Sequence, residues 1–230
     1  MREWGYLFRF WWYNISNSGE KTPLLEISMI FLDFKNALQD YLIFNQKQIK
    51  AVFPGFDQHR LKEWQKKKYI EKLCKGFYFF SDLEITDITK YHFANQIYTP
   101  SYISLDLVLA NHGLIPETVF ATSSVTTLKK RNIFTDHGNF LYRTIKKELF
   151  FGYQVERLNQ IQYKIADLEK AVLDYFYLNN HLNTPSLIQE IRFDCELFFE
   201  LINEEKFYSY LSKFKNKSLE KRIQILKEYQ

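Results

Sequence analysis

Cysteine and glycine are scarce in this sequence, and their scarcity argues against several classes of function. Only two of the 230 residues are cysteines, Cys74 and Cys195, and they stand far apart in no metal-binding or redox motif. Two isolated thiols favour a reducing, cytoplasmic compartment. The seven glycines form no phosphate-binding loop, and no nucleophile-elbow serine motif occurs. We therefore expect neither a P-loop nor a hydrolase centre.

Metal-ligand patterns are also missing. The histidines have no helical ligand spacing and no neighbouring cysteine; they are His59, His92, His112, His137 and His181. A metal-dependent nuclease would need paired carboxylates and a lysine on strands. The nearest triplets, at residues 33–35 and 204–206, fall in predicted helices. We predict no catalytic residue, no metal site and no cofactor, and a nuclease-like enzyme is the least favoured interpretation.

No long apolar run suggests a membrane helix. Residues 1–24 open with "MREWGYLFRFWWYNISNSGEK", in which the apolar run is short and aromatic and no small-residue cleavage site follows. A membrane-spanning helix needs about 20 apolar residues. We predict neither a signal peptide nor a membrane span. Residues 1–24 are assigned as an extension without a predicted structure, and Met29 is an alternative start.

Aromatic residues and lysines are what the sequence does contain. Hydrophobic residues make up 46% of the chain, which favours a folded protein. Aromatic residues reach 18%, which suits either large cores or faces for a partner. The net charge is only +4, so evidence for nucleic-acid binding has to come from where the lysines stand.

Residues 25–85 have the pattern of three short helices followed by a hairpin. "DFKNALQDYL" carries an apolar stripe that includes Phe34, Leu38 and Tyr41. "NQKQIKAVFP" is a second helix, capped by Asn45 and stopped by a proline. "DQHRLKEWQKKKY" is a third, with Leu61 and Trp64 facing inward, and "IEKL" and "FYFF" are two strands. This order predicts a winged helix-turn-helix.

The third helix and the hairpin carry a local excess of positive charge. From His59 to Lys75 there are seven Lys and Arg residues and two acids, so the net charge is 7 − 2 = +5. In helix-turn-helix proteins the second helix of the motif enters the major groove, and lysines neutralise phosphates. A solvated helix face is the alternative interpretation. The predicted DNA-binding residues, of which the first three stand near the helix start to reach base edges, are Gln58, His59, Arg60, Lys62, Lys66, Lys67, Lys68, Lys72 and Lys75.

Residues 86–230 mix strands and helices. In "SYISLDLVLANHGLIPE" we predict a helix capped by Ser104 and stopped by Gly113. "TVFATSSVT", "KRNIFTDHGNFLYRTI" and "QIQYKIAD" contain strands, "LEKAVLDYFYL" is helical, and short helices follow Ser186. The predicted class is α+β: an N-terminal winged helix-turn-helix, then a mixed α/β C-terminal domain ending in helices. The boundary is expected near residues 80–88.

A second basic patch is predicted at the outer ends of the hairpin in "KRNIFTDHGNFLYRTI". The candidate partners of this patch are DNA and an acidic protein surface. The alternative is scattered surface charge without a partner. The residues are Lys129, Lys130, Arg131, Arg143, Lys146 and Lys147.

Three stretches, "SYISLDLVLANHGLIPE", "VFATSSVTTLKKRNIFTDHGNFLYRTIKKELFFGY" and "KIADLEKAVLDYFYL", carry a resemblance in this order. With them the chain resembles the AbiEi-type antitoxins of type IV toxin–antitoxin systems over about residues 30–180. The resemblance implies a DNA-binding N-terminal domain, a C-terminal antitoxin domain and repression of its own operon at inverted repeats. The implied partners are double-stranded operator DNA and an AbiEii-type nucleotidyltransferase toxin. Direct contact with the toxin is not part of what it implies.

The main alternative is a stand-alone winged-helix transcriptional regulator whose second domain senses a ligand or dimerises. A neighbouring gene for a nucleotidyltransferase would distinguish the antitoxin from this regulator.

Overall fold

The protein has an α+β fold with two separate β-sheets, as the sequence predicts. The computed structural model describes the backbone of residues 23–228 and the side chains of residues 30–228. The extension predicted for residues 1–24 therefore lies almost entirely outside the described residues. No helix within residues 23–228 is both long and apolar enough to cross a membrane.

The N-terminal unit consists of three helices and a small antiparallel sheet. Its elements are α1 (Pro23–Leu38), β1 (Phe44–Asn45), α2 (Gln46–Val52), α3 (His59–Lys66), β2 (Ile70–Cys74) and β3 (Phe77–Phe80). The sheet order is β1-β3-β2, so the last strand lies in the middle. Both of its pairings are antiparallel.

Local signals explain where these helices begin and end. Asn45 caps α2 in a capping box with Gln48, as predicted for the cap. The helix α3 ends at Lys66, earlier than expected. Lys68 adopts φ +56°, and the Tyr69 N–H donates to the Trp64 carbonyl at 2.9 Å. This is a Schellman motif with lysine in the position that glycine usually takes, and it turns the chain into β2.

Aromatic rings form the core of the N-terminal unit. Trp64 is fully buried and its ring lies 4.6 Å from that of Phe34, while Phe44 and Phe80 approach to 4.9 Å. Leu61 is also buried, so both residues predicted to face inward do so. The apolar stripe of α1 is shorter than predicted, because the helix ends at Leu38 and Tyr41, which follows it, is exposed.

The second unit is built on a six-stranded mixed sheet. Its first elements are α4 (Asp87–Ile97), β4 (Ser101–Ile103), α5 (Asp106–Asn111), β5 (Ala121–Thr126), β6 (Arg131–Thr135), β7 (Gly138–Thr144) and a 3-10 turn (Lys147–Leu149). The remaining elements are β8 (Tyr153–Leu158), β9 (Ile161–Ala166), α6 (Leu168–Leu178), α7 (Pro185–Glu190), α8 (Cys195–Leu201), α9 (Glu204–Phe214) and α10 (Lys217–Glu228). The sheet order is β6-β7-β5-β4-β9-β8, with parallel pairs β5–β7 and β4–β9.

One predicted helix start is wrong. Ser104 does not cap α5, because the preceding residues form β4 and the Ser104 hydroxyl donates to Asp174 at 3.0 Å. The helix begins after Leu105, which adopts φ +67° and provides no side-chain cap. Its predicted end is confirmed, since Gly113 follows it at φ +74°. Strand β8 was not among the predicted elements.

The three-stranded sheet also packs against the second unit. Leu73 and Phe79 of the sheet, and Ile43 just before β1, are buried in the larger hydrophobic cluster rather than in the smaller N-terminal one. The Phe79 ring lies 5.5 Å from Phe93 on α4. The sheet is therefore covered on both faces, by its own helices on one side and by the second unit on the other.

A buried polar network connects α6 to β4. The ammonium group of Lys170 bonds to the Asp174 carboxylate, and both side chains are fully buried. The Tyr102 hydroxyl donates to Asp174 at 2.8 Å and accepts from Lys170 at 3.0 Å. Burial raises the pKa of Asp174 and lowers that of Lys170, and the charge of each partner opposes the shift of the other.

Gly152 packs directly against this network. It adopts φ +71°, and an added Cβ would lie 2.9 Å from Cγ of Lys170 and 3.0 Å from the Tyr210 ring. At Gly113, which adopts φ +74°, an added Cβ would meet only Leu197 at 3.8 Å.

We expect Gly152→Ala to destabilise the protein more than Gly113→Ala. Both variants pay roughly 1–2 kcal/mol for a left-handed alanine, and Gly152→Ala loses about 1–3 kcal/mol more through overpacking. Urea unfolding of the two variants beside the parent chain measures the difference. Equal losses of unfolding free energy in the two variants would contradict the expected overpacking against Lys170.

Candidate nucleic-acid interface

Helix α3 presents its lysines on the side opposite its buried residues. Leu61 and Trp64 point into the core, whereas Lys62, Lys66 and Lys67 are exposed. Lys68 is exposed as well. Of the predicted residues between Gln58 and Lys75, all but Arg60 are exposed, and Arg60 is half-buried.

The hairpin adds its lysines on the same side of the sheet. Lys72 stands opposite Tyr78, which belongs with Ile70 to the N-terminal core, while Leu73 belongs to the other cluster. Because side chains alternate along a strand, Lys72 lies on the sheet face that carries the helices. Lys75 is exposed in the turn before Gly76, which adopts φ +85°.

The opposite face of the hairpin is fixed to the second unit. The carboxylate of Glu71 contacts His137 Nε2 at 3.0 Å, and the His137 ring packs edge-on against Phe79 at 4.9 Å. These contacts join β2 and β3 to the turn between β6 and β7. The lysines of the hairpin are therefore presented by a strand pair that is held from behind.

Helix α2 contributes basic residues that sequence reasoning missed. Lys47 and Lys50 are exposed on either side of Ile49, which is buried. The Gln46 side chain donates to Gln58 Oε1 at 3.4 Å, which brings the starts of α2 and α3 together. The signal was present in the sequence as lysines flanking one apolar position of a capped helix.

The second basic patch forms only in part. The Thr144 hydroxyl donates to the Leu128 carbonyl at 2.8 Å, so the two charged segments lie side by side. Arg143, however, is half-buried and donates to the Leu178 carbonyl at 2.6 Å and to Asn179 at 3.3 Å. Its charge serves the end of α6 rather than the patch. The exposed members are Lys129, Lys130, Arg131, Lys146 and Lys147.

The two basic regions meet at the tip of the hairpin. Burial raises the pKa of Cys74, and the positive charges of Arg131 and Lys72 nearby oppose that rise. Arg131 also lies over the Tyr98 ring at 5.3 Å. Lys72 of the hairpin and Arg131 of the second patch are thus neighbours at Cys74, although they lie in different sheets.

Two of the five histidines make specific contacts within the fold. His92 Nδ1 lies 2.7 Å from the Gln162 carbonyl, and burial lowers its pKa, whereas His137 contacts Glu71. Among the described residues, no group of three His, Cys, Asp or Glu side chains is placed to hold a metal ion. An open hollow of about 450 Å³ lies between α7 and α8, lined in part by Arg192 and Phe193. It contains none of the predicted DNA-binding residues.

Comparison with known proteins finds no matching family model and no matching curated protein.

Proposed function

We propose that the N-terminal unit is a winged helix-turn-helix that binds double-stranded DNA through α3 and the β2–β3 hairpin. The observation that carries this proposal is the arrangement of the unit. The element order α1-β1-α2-α3-β2-β3 and the sheet order β1-β3-β2 support this proposal, because a winged helix is expected to have the same order. The end of α3, the turn after it and the hairpin carry exposed lysines at Lys66, Lys67, Lys68, Lys72 and Lys75.

In this proposal α3 lies in the major groove and its start faces the base edges. Gln58, His59 and Arg60 occupy that start, and Lys62, Lys66 and Lys67 follow toward the phosphates. The hairpin lysines Lys72 and Lys75 contact the flanking backbone. The exposed charges around Arg131 extend the same surface across the second sheet.

We further propose that the protein is a cytoplasmic antitoxin of a type IV toxin–antitoxin system. In this role it represses its own operon and counteracts an AbiEii-type nucleotidyltransferase. The support is the resemblance of the three quoted stretches, together with the basic surface that a repressor needs. A stand-alone regulator would use the same surface, so the two roles differ only in the response to the toxin.

The test is to express the full chain together with a nucleotidyltransferase encoded beside it and with a reporter driven by the upstream promoter. We expect growth to recover and reporter activity to fall. A chain carrying Lys66→Ala and Lys72→Ala should repress less. If the reporter falls but growth does not recover, the protein is a regulator without antitoxin activity, and if neither changes, the whole proposal fails.

We expect Arg60→Ala and Lys66→Ala to affect DNA binding in different ways. Loss of a base contact by Arg60→Ala should reduce discrimination between operator and random DNA by about 1–3 kcal/mol. Lys66→Ala should weaken binding to both about equally, because phosphate contacts carry no sequence information. Titration of each variant against both duplexes separates the two. An equal loss on both duplexes for Arg60→Ala would assign Arg60 to the DNA backbone.

A further inference from the structure

Strand β8 ends the six-stranded sheet with an open edge. Within residues 23–228 its one pairing partner is β9, to which a two-residue turn at Asn159 and Gln160 connects it. The Gly152 carbonyl accepts from the Asp167 N–H at 3.1 Å in the same register. Hydrogen-bonded pairs alternate in an antiparallel ladder, so Gln154, Glu156 and Leu158 bond to β9. The N–H and C=O groups of Tyr153, Val155 and Arg157 consequently point away from the sheet.

Elsewhere in the six-stranded sheet, outward-pointing backbone N–H and C=O groups are covered by neighbouring elements. Where β9 extends past β4, the side chains of α4 take over: His92 contacts the Gln162 carbonyl, and Asn95 accepts from the Lys164 N–H at 2.5 Å. At the other end of the sheet, β6 lies beside the hairpin of the N-terminal unit. For the outward groups of β8, no hydrogen-bond partner occurs within residues 30–228.

Nothing in β8 itself blocks pairing with another strand. Natural edge strands are usually protected by lysine, proline or a bulge. Strand β8 contains no lysine and no proline, its two charged residues Glu156 and Arg157 have opposite signs, and its register with β9 is uninterrupted over six pairs. Val155 and Leu158 are apolar and remain 46% and 49% exposed. An exposed, regular and partly apolar edge of this kind is suited to strand addition.

We propose that the partner of this edge is β8 of a second copy of this chain. The two strands run antiparallel about a two-fold axis, with Val155 opposite Val155 of the second copy, and form one continuous sheet. The outward groups of Tyr153, Val155 and Arg157 then bond to those of Arg157, Val155 and Tyr153 in the other copy. Every outward N–H and C=O of these residues obtains a partner.

Side-chain charges favour this register over its neighbours. It places Gln154 opposite Glu156 of the second copy, an amide beside a carboxylate, twice by symmetry. Moving the two-fold axis from Val155 to the next residue would place Glu156 opposite Glu156 of the second copy. Moving it by two residues would place Arg157 opposite Arg157. Like charges directly opposite one another destabilise a strand pair.

The dimer should be weak, because a single pair of short strands buries less area than a standard interface. A dissociation constant on the order of 10–1,000 µM is expected. Self-association through β8 requires neither DNA nor a toxin, so its test is independent of the function proposed above.

Cysteine cross-linking tests the register. We expect a short bifunctional thiol reagent to link Val155→Cys into a dimer, because opposed Cα atoms of a hydrogen-bonded pair lie about 5.5 Å apart, with their Cβ atoms slightly too far apart for a direct disulfide. Arg157→Cys is the matched control on the same strand and face, and its copies would lie too far apart to link. Both are made in a Cys74→Ser background, so that the partly exposed native thiol cannot link two copies, whereas Cys195 is buried. No dimer from Val155→Cys, or equal dimer from both variants, would overturn the proposal.

A proline variant tests the edge itself. Val155→Pro removes an outward N–H and leaves the bonds to β9 intact, whereas Val155→Thr keeps the N–H. In sedimentation velocity up to about 0.5 mM, the parent chain and Val155→Thr should increase in average mass with concentration. Val155→Pro, once its circular dichroism matches the parent, should remain monomeric. Self-association of Val155→Pro equal to that of the parent would contradict the pairing, as would a parent chain that stays monomeric.

Discussion

Binding of the full chain to duplex DNA should weaken about 500-fold when the salt concentration rises from about 50 to about 200 mM. The reason is the number of lysines that α3 and the hairpin present together. Five phosphate contacts release condensed counterions and give a log–log slope of about −4.5. A fourfold rise in salt then reduces the association constant by that factor.

Removing two of these lysines should change the slope as well as the affinity. Lys66→Ala combined with Lys72→Ala is expected to make the slope less steep by about 2, since each phosphate contact contributes about 1. Lys217→Ala combined with Lys221→Ala removes the same charge from exposed positions on α10 and should leave the slope unchanged. A salt response that is flat, or that both double variants alter equally, would remove the assignment of phosphate contacts to α3 and the hairpin.

Lys170→Met should destabilise the protein strongly, lowering the free energy of unfolding by about 3–5 kcal/mol. The variant removes the only positive partner that the described residues give to the fully buried Asp174 carboxylate. Tyr102 and Ser104 still donate to that carboxylate, but they carry no charge. Urea unfolding of the variant and the parent measures the loss.

Lys206→Met is the matched control, because Lys206 contacts Asp167 at 2.8 Å and Glu169 at 2.9 Å but is 37% exposed. The free energy of unfolding should fall by about 1 kcal/mol in this variant, because solvent screens the exposed ammonium group. Glu169 still accepts from the Asn203 N–H at 3.0 Å. The double variant Lys170→Met with Asp174→Leu should recover part of the stability, since no buried charge is left alone. Equal losses for Lys170→Met and Lys206→Met would show that burial does not set the strength of the Lys170–Asp174 pair.

Elements with strong local signals could be predicted from the sequence. The helix Leu168–Leu178 has the predicted bounds, because its apolar residues recur at helical spacing and Asp167 caps it. The hairpin β2–β3 turns at Gly76, and α2 starts after its cap Asn45, for similarly local reasons. The inward orientation of Trp64 followed from its spacing with Leu61.

Features that depend on distant residues could not be predicted. Ser104 has the chemistry of a helix cap, yet its hydroxyl bonds to Asp174, seventy residues away. Lys170 and Asp174 are four residues apart, and their pattern alone is that of an exposed helix pair. Strand β3 is buried on both faces because the second unit covers Phe79. Its continuous apolar run is compatible with such burial but does not identify the residues that cover it.

The same distinction applies to the candidate DNA-binding site, where local charge could be predicted and contacts between distant elements could not. Clustering of lysines between His59 and Lys75 was visible in the sequence, because charge is a property of the residues themselves. The use of Arg143 to hold the end of α6 was not visible, since Leu178 lies on a separate element. The closeness of Arg131 to the hairpin tip was also hidden, because it depends on how the two sheets pack.

Photocross-linking of the full chain to DNA from its upstream region tests the central claim most directly. In a chain in which Cys74→Ser and Cys195→Ala remove the two native thiols, a photoreactive group is attached to a cysteine introduced by Lys62→Cys on α3, by Lys75→Cys at the hairpin tip, or by Lys221→Cys on α10, which serves as the distant control. The account predicts covalent DNA adducts from positions 62 and 75 and only background from position 221. Adducts from position 221 equal to those from position 62, or none from position 62 while DNA is still bound, would contradict it.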